Sequence, residues 1–465
     1  MMQRETVLRT PARAEKTTAA FLRCFDEKCG ARYPIDNAEH ACAACGNLLD
    51  VHYDWAPIDP VVLKQTWLER KMSRDPRDLS GVWRFREIIP FLSPESPVIT
   101  LREGNTPLLE SRHAGAFAGI DAVLFKHQGF NPTGSFKDNG MTTGVSQAAS
   151  LGRKMLACVS TGNTSASLAA YAAFGGLRAV IFIPAGQIAG GKLSQSLEYG
   201  ALTIQVDANF DVTWKLVFQL VDEAGVYLLN SVNPFRVEGQ KTIPVEVMEQ
   251  LGWEPPDWIV LPGGNLGNCS AFGKGLREMQ QLGLIRRLPR LAVIQAEGSA
   301  PLYQLLQRAA AEKKSPLEMG LKAVENPQTL ATAVKIGNPA SWKKTLRELD
   351  ATNGVCEQVS EQEIADAKAV IGQSGIGCEP ASAATLAGIK KLAARQIIRK
   401  GDRVVAVLTG NLLKDPTYTL AYHQGTLAYP SGGRQLPLEP RFANRPISVA
   451  PDAAEIKRLL AGGAK

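Results

Sequence analysis

The chain has 465 residues, a length that predicts two or three domains because one hydrophobic core rarely serves so long a chain. Hydrophobic residues make up 45% and charged residues 21%, close to the average of soluble proteins, which excludes a chain that is mainly disordered or fibrous. The net charge of +7 comes from basic residues scattered along the sequence, so we predict no nucleic-acid partner.

The N-terminal residues are polar and without periodicity, so we expect residues 1–20 to form a flexible lead. They contain no apolar segment of the kind that a secretory signal has. The longest stretch without charge, between Lys154 and Arg178, is interrupted by the polar run STGNTS, which a bilayer core would not accept unsupported. We therefore predict a cytoplasmic protein with no membrane partner.

Residues 21–55 contain a cysteine tetrad whose spacing is similar to that of a small zinc ribbon. It consists of two pairs, each followed by a glycine: Cys24, Cys29, Cys42 and Cys45. In a reducing compartment four clustered thiols indicate a metal site more than disulfides. We predict structural zinc, because four protein ligands leave no open position for catalysis. A metal-free hairpin remains the alternative, and His40 is a candidate substitute ligand.

A nucleic-acid-binding ribbon on a degenerate enzyme scaffold is the alternative from a different class of protein. Such a ribbon needs basic residues interleaved with aromatic ones. Residues 21–55 carry more acidic than basic side chains, with Asp26, Glu27, Asp36, Glu39, Asp50 and Asp54 against Arg23, Lys28 and Arg32. This acidic balance argues against the alternative.

From about residue 98, short apolar runs alternate with helical stretches. The predicted strands are 156–160, 178–184, 202–206, 226–230, 258–262, 291–296 and 404–409. The predicted helices are 164–174, 209–223, 239–251, 361–372 and 380–397. This alternation predicts an α/β fold with open, mostly parallel sheets flanked by helices, in which ligands bind beyond the carboxyl ends of the strands. The proline-rich tail at 431–465 has few helix or strand signals.

The loop NPTGSFKDNGM at 131–141 places Lys137 where a helix begins. The positive end of a helix dipole lowers the cost of losing the lysine's proton, and a neutral amine is what Schiff-base chemistry requires. Taken alone, the pattern is more typical of a surface lysine that follows a turn.

Three other loops follow predicted strands. STGNTS at 160–165 brings hydroxyls and amides to a helix start, and LTGN at 408–411 ends a strand with the hydroxyl of Thr409. LPGGNLGN at 261–268 is rich in glycine, and its N–H groups would form a cradle for an anion. Because it lacks the lysine of a P-loop, it indicates a single phosphate and not a nucleotide. Each loop alone is also compatible with an ordinary turn or helix cap.

Together, several motifs resemble those of the threonine synthases, pyridoxal-phosphate enzymes of fold type II. The motifs are NPTGSFKDNGM, STGNTSASLAAYAA, NSVNPFRVEGQKT, PGGNLGN, IGNPASW, CEPASAA and LTGN. The resemblance runs from about residue 104 to residue 415. It implies a large α/β lobe at 56–142 and 236–430, a small α/β lobe at 143–235, and a homodimer.

By that resemblance, Lys137 is the catalytic residue and carries pyridoxal 5'-phosphate in a Schiff base. Asn163 bonds the ring hydroxyl of the cofactor, and Thr409 meets its pyridine nitrogen. The residues implied to hold the cofactor phosphate are Gly264, Asn265, Leu266, Gly267 and Asn268. Those implied to bind the substrate carboxylate are Thr161, Asn163 and Thr164, and those for the substrate phosphate are Asn230, Ser231 and Arg236.

The implied reaction converts the phosphorylated amino acid O-phospho-L-homoserine and water to L-threonine and phosphate, by γ-elimination and then β-addition. A β-replacement on O-phosphoserine, as in cysteate synthase, remains the nearest alternative. A threonine or serine dehydratase is less favoured, because it has no need for a phosphate-binding motif. Asn139 replaces an arginine of the family pattern and Asn411 a histidine, and the effect of both on substrate and rate stays open.

Overall fold

The computed structural model describes residues 18–37, 39–184, 190–208, 213, 216, 217, 219, 225–431 and 433–461. Its strands are β1 (Ala19–Cys24), β2 (Arg32–Pro34), β3 (Leu49–Asp54), β4 (Leu108–Ser111), β5 (Val123–His127), β6 (Met155–Val159), β7 (Arg178–Pro184), β8 (Leu202–Val206), β9 (Tyr227–Leu228), β10 (Trp258–Pro262), β11 (Arg290–Ala296), β12 (Val355–Val359), β13 (Val404–Leu408), β14 (Ala428–Ser431) and β15 (Arg434–Pro437).

The α-helices, numbered over the same residues, are α1 (Pro60–Arg70), α2 (Pro76–Leu79), α3 (Arg112–Ala118), α4 (Lys137–Ser150), α5 (Asn163–Phe174), α6 (Gly190–Glu198), α7 (Pro234–Gln240), α8 (Thr242–Gln250), α9 (Gly267–Gln281), α10 (Pro301–Glu312), α11 (Pro316–Met319), α12 (Trp342–Ala351), α13 (Glu361–Gln373), α14 (Pro380–Ala394), α15 (Pro416–Gln424) and α16 (Ala453–Ala461). Most of the predicted helix at 209–223, and residues 1–17 of the predicted lead, lie outside the described residues.

Two sheets carry the α/β part of the chain. The larger has the strand order β12-β11-β10-β13-β5-β4, in which neighbours run parallel except β4 and β5. The smaller has the order β8-β7-β6-β9, and its paired strands are parallel. The predicted fold class, with two open and mostly parallel sheets flanked by helices, is confirmed. An antiparallel sheet β2-β1-β3 precedes them, and β14 and β15 form a hairpin.

The central strands of the large sheet are buried on both faces, as their continuous apolar runs require. All five residues of β13 are buried, and the alanine-rich helix α14 packs over the sheet so closely that a Cβ added to Gly388 would lie 2.3 Å from Ile294 Cδ1. Because β5, β10 and β13 run parallel, their carboxyl ends meet at one edge of the sheet. The loops after these three strands contain Lys137, Gly264 and Thr409, so the topology brings separate sequence motifs together.

Three segments differ from the sequence-based prediction. Residues 19 and 20, predicted as part of the flexible lead, begin the strand β1. The helix predicted at 239–251 is two helices, α7 and α8, separated at Lys241. The break has a physical reason, because Pro244 has no N–H for the carbonyl of Gln240. The tail contains the strand β15, which pairs with β14 at the start of the tail, and the helix α16; its prolines predicted neither element. None of the helices within the described ranges is long and apolar enough to cross a membrane.

The antiparallel sheet that precedes the α/β part, here called the cysteine module, packs against both larger sheets. Asp50 of β3 forms a buried ion pair with Lys344 of α12, and Lys274 of α9 donates to the carbonyl of Val51 in β3 at 2.6 Å. His40 Nε2 donates to a carbonyl of β9 at 2.8 Å. The module therefore contacts the helix that begins at the glycine-rich loop and also a strand of the small sheet.

Candidate active site

Lys137 begins α4 at the edge of the large sheet. The turn before it reaches positive φ at Gly134, which only glycine adopts without strain. Phe136 N donates to Thr409 O at 3.0 Å, and Asn411 N donates to Gly134 O at 2.9 Å, so the loops after β5 and β13 are bonded to each other. The lysine loop and the Thr409 loop thus form one wall of the site.

The Lys137 amine is suited to nucleophilic and proton-transfer chemistry. Burial, reinforced by the Arg236 cation and opposed by Glu379, lowers its pKa to about 7. A lysine with this pKa is in good part neutral near pH 7, whereas an ordinary lysine is almost fully charged. The next residue anchors the loop, because Asp138 accepts from the Thr133 N–H at 2.7 Å and from the Ser167 hydroxyl at 2.6 Å. Burial raises the pKa of Asp138 to about 6.

Asn163 and Thr409 meet at one carboxylate. Asn163 Nδ2 donates to the two oxygens of Glu379 at 3.2 and 3.0 Å, while Asn163 Oδ1 is buried and has no hydrogen-bond partner. Thr409 Oγ1 donates to Glu379 Oε1 at 3.3 Å and lies 3.0 Å from the hydroxyl of Ser382. Thr161 and Thr164 flank Asn163 at the start of α5 and are half-buried.

The glycine-rich loop leads into the N-terminus of α9 with no side-chain cap. Leu266 has φ of +64°, the left-handed conformation that turns the chain into the helix. Asn265 is held by the hydroxyl of Ser231 and by the N–H of Ala340. Asn268 is buried, and neither of its side-chain polar atoms has a partner. Free N–H groups at a helix start together with an unpaired buried amide are suited to a phosphate.

Arg236 is a fully buried cation with unused donors. Its Nη1 donates to Leu229 O at 3.0 Å, whereas Nε and Nη2 have no partner. Burial lowers its pKa to about 10, so it stays charged at neutral pH. Within the described residues it forms no ion pair with a carboxylate. Two unpaired donors on a buried cation are suited to an anion.

Asn230, which the family resemblance implies as a ligand of the substrate phosphate, has both polar atoms of its side chain bonded to the backbone. Its Oδ1 accepts from Val159 N and its Nδ2 donates to Val159 O, both at 3.0 Å, so the amide is used within the small sheet. The two departures from the family pattern are also bonded internally. Asn139 is fully buried, and its Oδ1 accepts from Asn131 Nδ2 at 3.1 Å while its Nδ2 has no partner. Asn411 Nδ2 donates to Gly129 O at 3.2 Å.

The four cysteines of the tetrad lie together. Cys24 and Cys45 have their sulfurs 3.4 Å apart, Cys29 and Cys42 3.6 Å apart, and the four sulfurs lie within 4.8 Å of one another. A tetrahedral zinc site with Zn–S bonds of about 2.3 Å places its sulfurs about 3.8 Å apart. The tetrad therefore has the dimensions of a four-thiolate metal site.

The cofactor that these loops fit is shown by comparison with known proteins. Residues 99–410 match the family model described as pyridoxal-phosphate dependent enzyme. The structure of the processed form of threonine deaminase isoform 2 from Solanum lycopersicum has a TM-score of 0.56 and 17% identity, covering 76% of this chain and 90% of that chain, a likeness of fold alone. The protein is a pyridoxal-phosphate-dependent enzyme of fold type II.

Similar proteins of known name identify the family within this class of enzymes. Threonine synthase of Methanocaldococcus jannaschii is 40% identical over 94% of this chain and 98% of its own length. Threonine synthase of Methanosarcina acetivorans is 42% identical over 85% of this chain and 92% of its own length. The chain belongs to the threonine synthase family, whose members are pyridoxal-phosphate-dependent lyases, and the predicted resemblance is confirmed.

Sequence reasoning missed three residues of this site: Asp138, Lys192 and Glu379. Asp138 directly follows Lys137, and Glu379 lies in the motif CEPASAA on which the resemblance depends. Both residues could therefore have been predicted from the sequence motifs. Lys192 gave no local signal. Its importance comes from the ion pair with Glu379 at 3.6 Å, a contact between residues far apart in the sequence.

Proposed function

We propose that the protein converts O-phospho-L-homoserine and water to L-threonine and inorganic phosphate. The observation that carries the proposal is the buried Arg236 guanidinium, which has two donors without a partner and whose charge acts on the Lys137 amine to lower the pKa of that amine. A substrate with both an amino acid end and a phosphate end would use both groups. The names of the two relatives support the same reaction.

The residues that would hold pyridoxal phosphate are those with unused polar groups at the sheet edge. Lys137 would be its point of covalent attachment, with Asn163 and Thr409 beside its ring. Its phosphate would be held by the loop residues Gly264, Asn265, Leu266, Gly267 and Asn268. The chemistry that the bound cofactor supplies is a carbonyl for the substrate's amino group and stabilisation of negative charge at the adjacent carbons.

Lys137 moves the protons. As a neutral amine it accepts the proton from the substrate α-carbon and then assists proton removal at the β-carbon. Loss of these protons allows the bond between the γ-carbon and the phosphate oxygen to break, and a proton is added at the γ-carbon. Water then supplies a hydroxyl to the β-carbon, and a proton returns to the α-carbon. The atoms balance as one water consumed and one phosphate released.

Arg236 binds the substrate phosphate in this proposal. Its free Nε and Nη2 are suited to two oxygens of a phosphate dianion, and we assign the hydroxyl of Ser231 as a third group that binds this phosphate. Thr161, Asn163 and Thr164 at the start of α5 bind the substrate carboxylate. For Asn230 we now propose a positioning role, because its amide already holds the backbone of β6 and so fixes the neighbouring Ser231.

The proposal is tested with purified holoenzyme and three substrates in separate assays. With O-phosphohomoserine we expect phosphate and threonine in equal amounts. Phosphate release from O-phosphoserine alone would favour the cysteate-synthase-like alternative, and a 2-oxo acid formed from threonine or serine would favour a dehydratase. Absence of phosphate release from O-phosphohomoserine would overturn the proposal.

We also propose that the cysteine tetrad holds a structural zinc ion. Sulfur separations near those of a tetrahedral thiolate site support it, and four protein ligands leave no position for substrate. Because the module packs on α9 and α12 through Lys274 and Lys344, the ion would stabilise the support of the phosphate-binding helix without entering the chemistry.

Replacing Cys42 with serine is expected to abolish zinc binding and to lower the melting temperature by several degrees. The reason is that three thiolates cannot complete the tetrahedron, so the module loses a cross-link between its two turns. Metal analysis and thermal unfolding of the purified variant provide the measurement. Cys356→Ser is the control, since Cys356 lies on β12 away from the tetrad. A wild-type protein that binds no zinc when zinc is supplied would contradict the proposal.

A further inference from the structure

Glu379 is a buried carboxylate that contacts both side chains proposed to flank the cofactor ring. It is the residue immediately before α14, and its side chain is 1% exposed. Asn163 and Thr409 both donate to it, at 3.0 Å and 3.3 Å respectively. Its backbone N–H donates to Gly410 O at 3.0 Å, which ties it to the end of β13. One carboxylate therefore connects α5 of the small sheet with a loop of the large sheet.

A buried lysine balances this carboxylate. Lys192 Nζ lies 3.6 Å from Glu379 Oε2 and 3.0 Å from Asp415 Oδ2, and it donates to Thr332 Oγ1 at 3.1 Å. Its side chain is 1% exposed. Lys192 belongs to α6 beside the small sheet, whereas its three partners lie in segments that follow strands of the large sheet. The lysine and the carboxylate thus form an ion pair between the two parts of the site.

The chemistry of the groups fixes their orientation. A carboxylate accepts hydrogen bonds and donates none, so Asn163 must turn Nδ2 toward Glu379. That orientation leaves Oδ1 and the second N–H of Nδ2 for a ligand, and Oδ1 is buried without a partner. Without the carboxylate, Asn163 Nδ2 would lose the acceptor that it has among the described residues. Thr409 would likewise lose one of the acceptors that restrict its hydroxyl.

We propose that Glu379, held by Lys192, is a positioning residue that orients Asn163 and Thr409 toward the ring of the bound cofactor. The inference rests on the cofactor site of the proposed function and goes beyond it, because it assigns the site's orientation to an ion pair between the two sheets. It predicts that the electronic environment of the cofactor depends on two residues that do not touch it.

The test compares the holoenzyme with the variants E379A, E379Q and K192M. The measurements are the absorption maximum of the bound cofactor, the dissociation constant for pyridoxal phosphate, and kcat and KM. For E379A we expect a shifted absorption maximum, about tenfold weaker cofactor binding, and a fall in kcat greater than the change in KM. E379Q keeps an acceptor for Asn163 Nδ2, so it should restore most of the cofactor affinity.

K192M should shift the absorption maximum in the same direction as E379A. In the double variant with E379Q, the K192M substitution should shift the absorption maximum less than it does in the wild-type protein. The reason is that both substitutions disturb the same ion pair. E357Q is the matched control: Glu357 is also buried, pairs with Arg395, and lies on the edge strand β12. Its absorption maximum should equal that of the wild type.

Two outcomes separate this inference from a structural role. If E379A and K192M lower the melting temperature but leave the absorption maximum and the cofactor affinity unchanged, the ion pair only joins the two sheets and the inference is wrong. If E379A does not fold, E379Q and K192M decide by the same spectra. The spectra are recorded without substrate. If the enzyme fails to form threonine, the proposed reaction is overturned, but the spectra of the variants still test the role of Glu379 and Lys192.

Discussion

Replacing Lys137 with alanine is expected to lower kcat/KM for threonine formation by at least about 10,000-fold and to remove the visible absorption of the holoenzyme. The alanine has neither the amine that attaches the cofactor nor the base that moves the substrate protons. Steady-state kinetics and an absorption spectrum measure the two effects separately. Lys368→Met is the control, because Lys368 is another buried lysine whose pKa is lowered by burial but which bonds Thr419 outside the site.

The low pKa of Lys137 adds a dependence on pH. Only the neutral amine attacks a carbonyl, and burial together with Arg236 lowers the pKa to about 7. The rate of cofactor attachment to the apoenzyme should therefore rise about tenfold for each unit by which the pH is raised up to 7. Above pH 7 the rate should become constant. An ordinary lysine would show acceleration up to about pH 10. A rate that keeps rising from pH 8 to pH 10 would show that Lys137 is not perturbed.

Arg236→Met is expected to lower kcat/KM for O-phosphohomoserine by about 1,000-fold while leaving cofactor binding and the fold intact. The fall in kcat/KM is expected because methionine cannot form the charge-assisted hydrogen bonds that Arg236 would make with the substrate phosphate in a buried site. Stability should stay the same or rise, because the variant removes a buried charge that has no carboxylate partner among the described residues. Kinetics and thermal unfolding of the same preparation give both values.

Arg84 provides the matched control for Arg236. It is also a fully buried arginine, but it forms an ion pair with Glu249 at 2.7 Å. Arg84→Met removes the buried partner of that carboxylate and leaves Glu249 paired with Lys71 alone, so we expect the variant to lose stability. The two variants should thus differ: Arg236→Met should lose activity and keep its stability, whereas Arg84→Met should lose stability. Arg236→Met with wild-type kinetics would refute the phosphate role.

The parts of this site that the sequence predicted are those written in short contiguous motifs. Lys137 and Asn163 each begin the helix that follows a strand, and Gly264 lies in the loop after another strand; parallel strands bring such positions to one edge. The fold class followed from the same alternation. The family resemblance added the cofactor, which no single loop specified.

What the sequence did not predict depends on contacts between distant residues. Asn230 has the side chain of a phosphate ligand, yet its amide is used by Val159 in a neighbouring strand. Glu379 has the side chain of a solvated helix start, yet Asn163 bonds it from a position 216 residues away. No local pattern of polarity or spacing encodes such contacts, because they form only when the two sheets meet.

The strand order of the large sheet also sets the order in which a nascent chain can complete it. The small sheet needs only strands between residues 155 and 228, so its partners leave the ribosome close together in time. The strand β5 instead waits for β13, whose first residue is Val404. Until then its inner edge has unpaired N–H and carbonyl groups, a state prone to mispairing. Synthesis of the late strand β13 therefore completes the large sheet and also places Thr409 in the site. A chain that ends before β13 would lack both the complete sheet and Thr409.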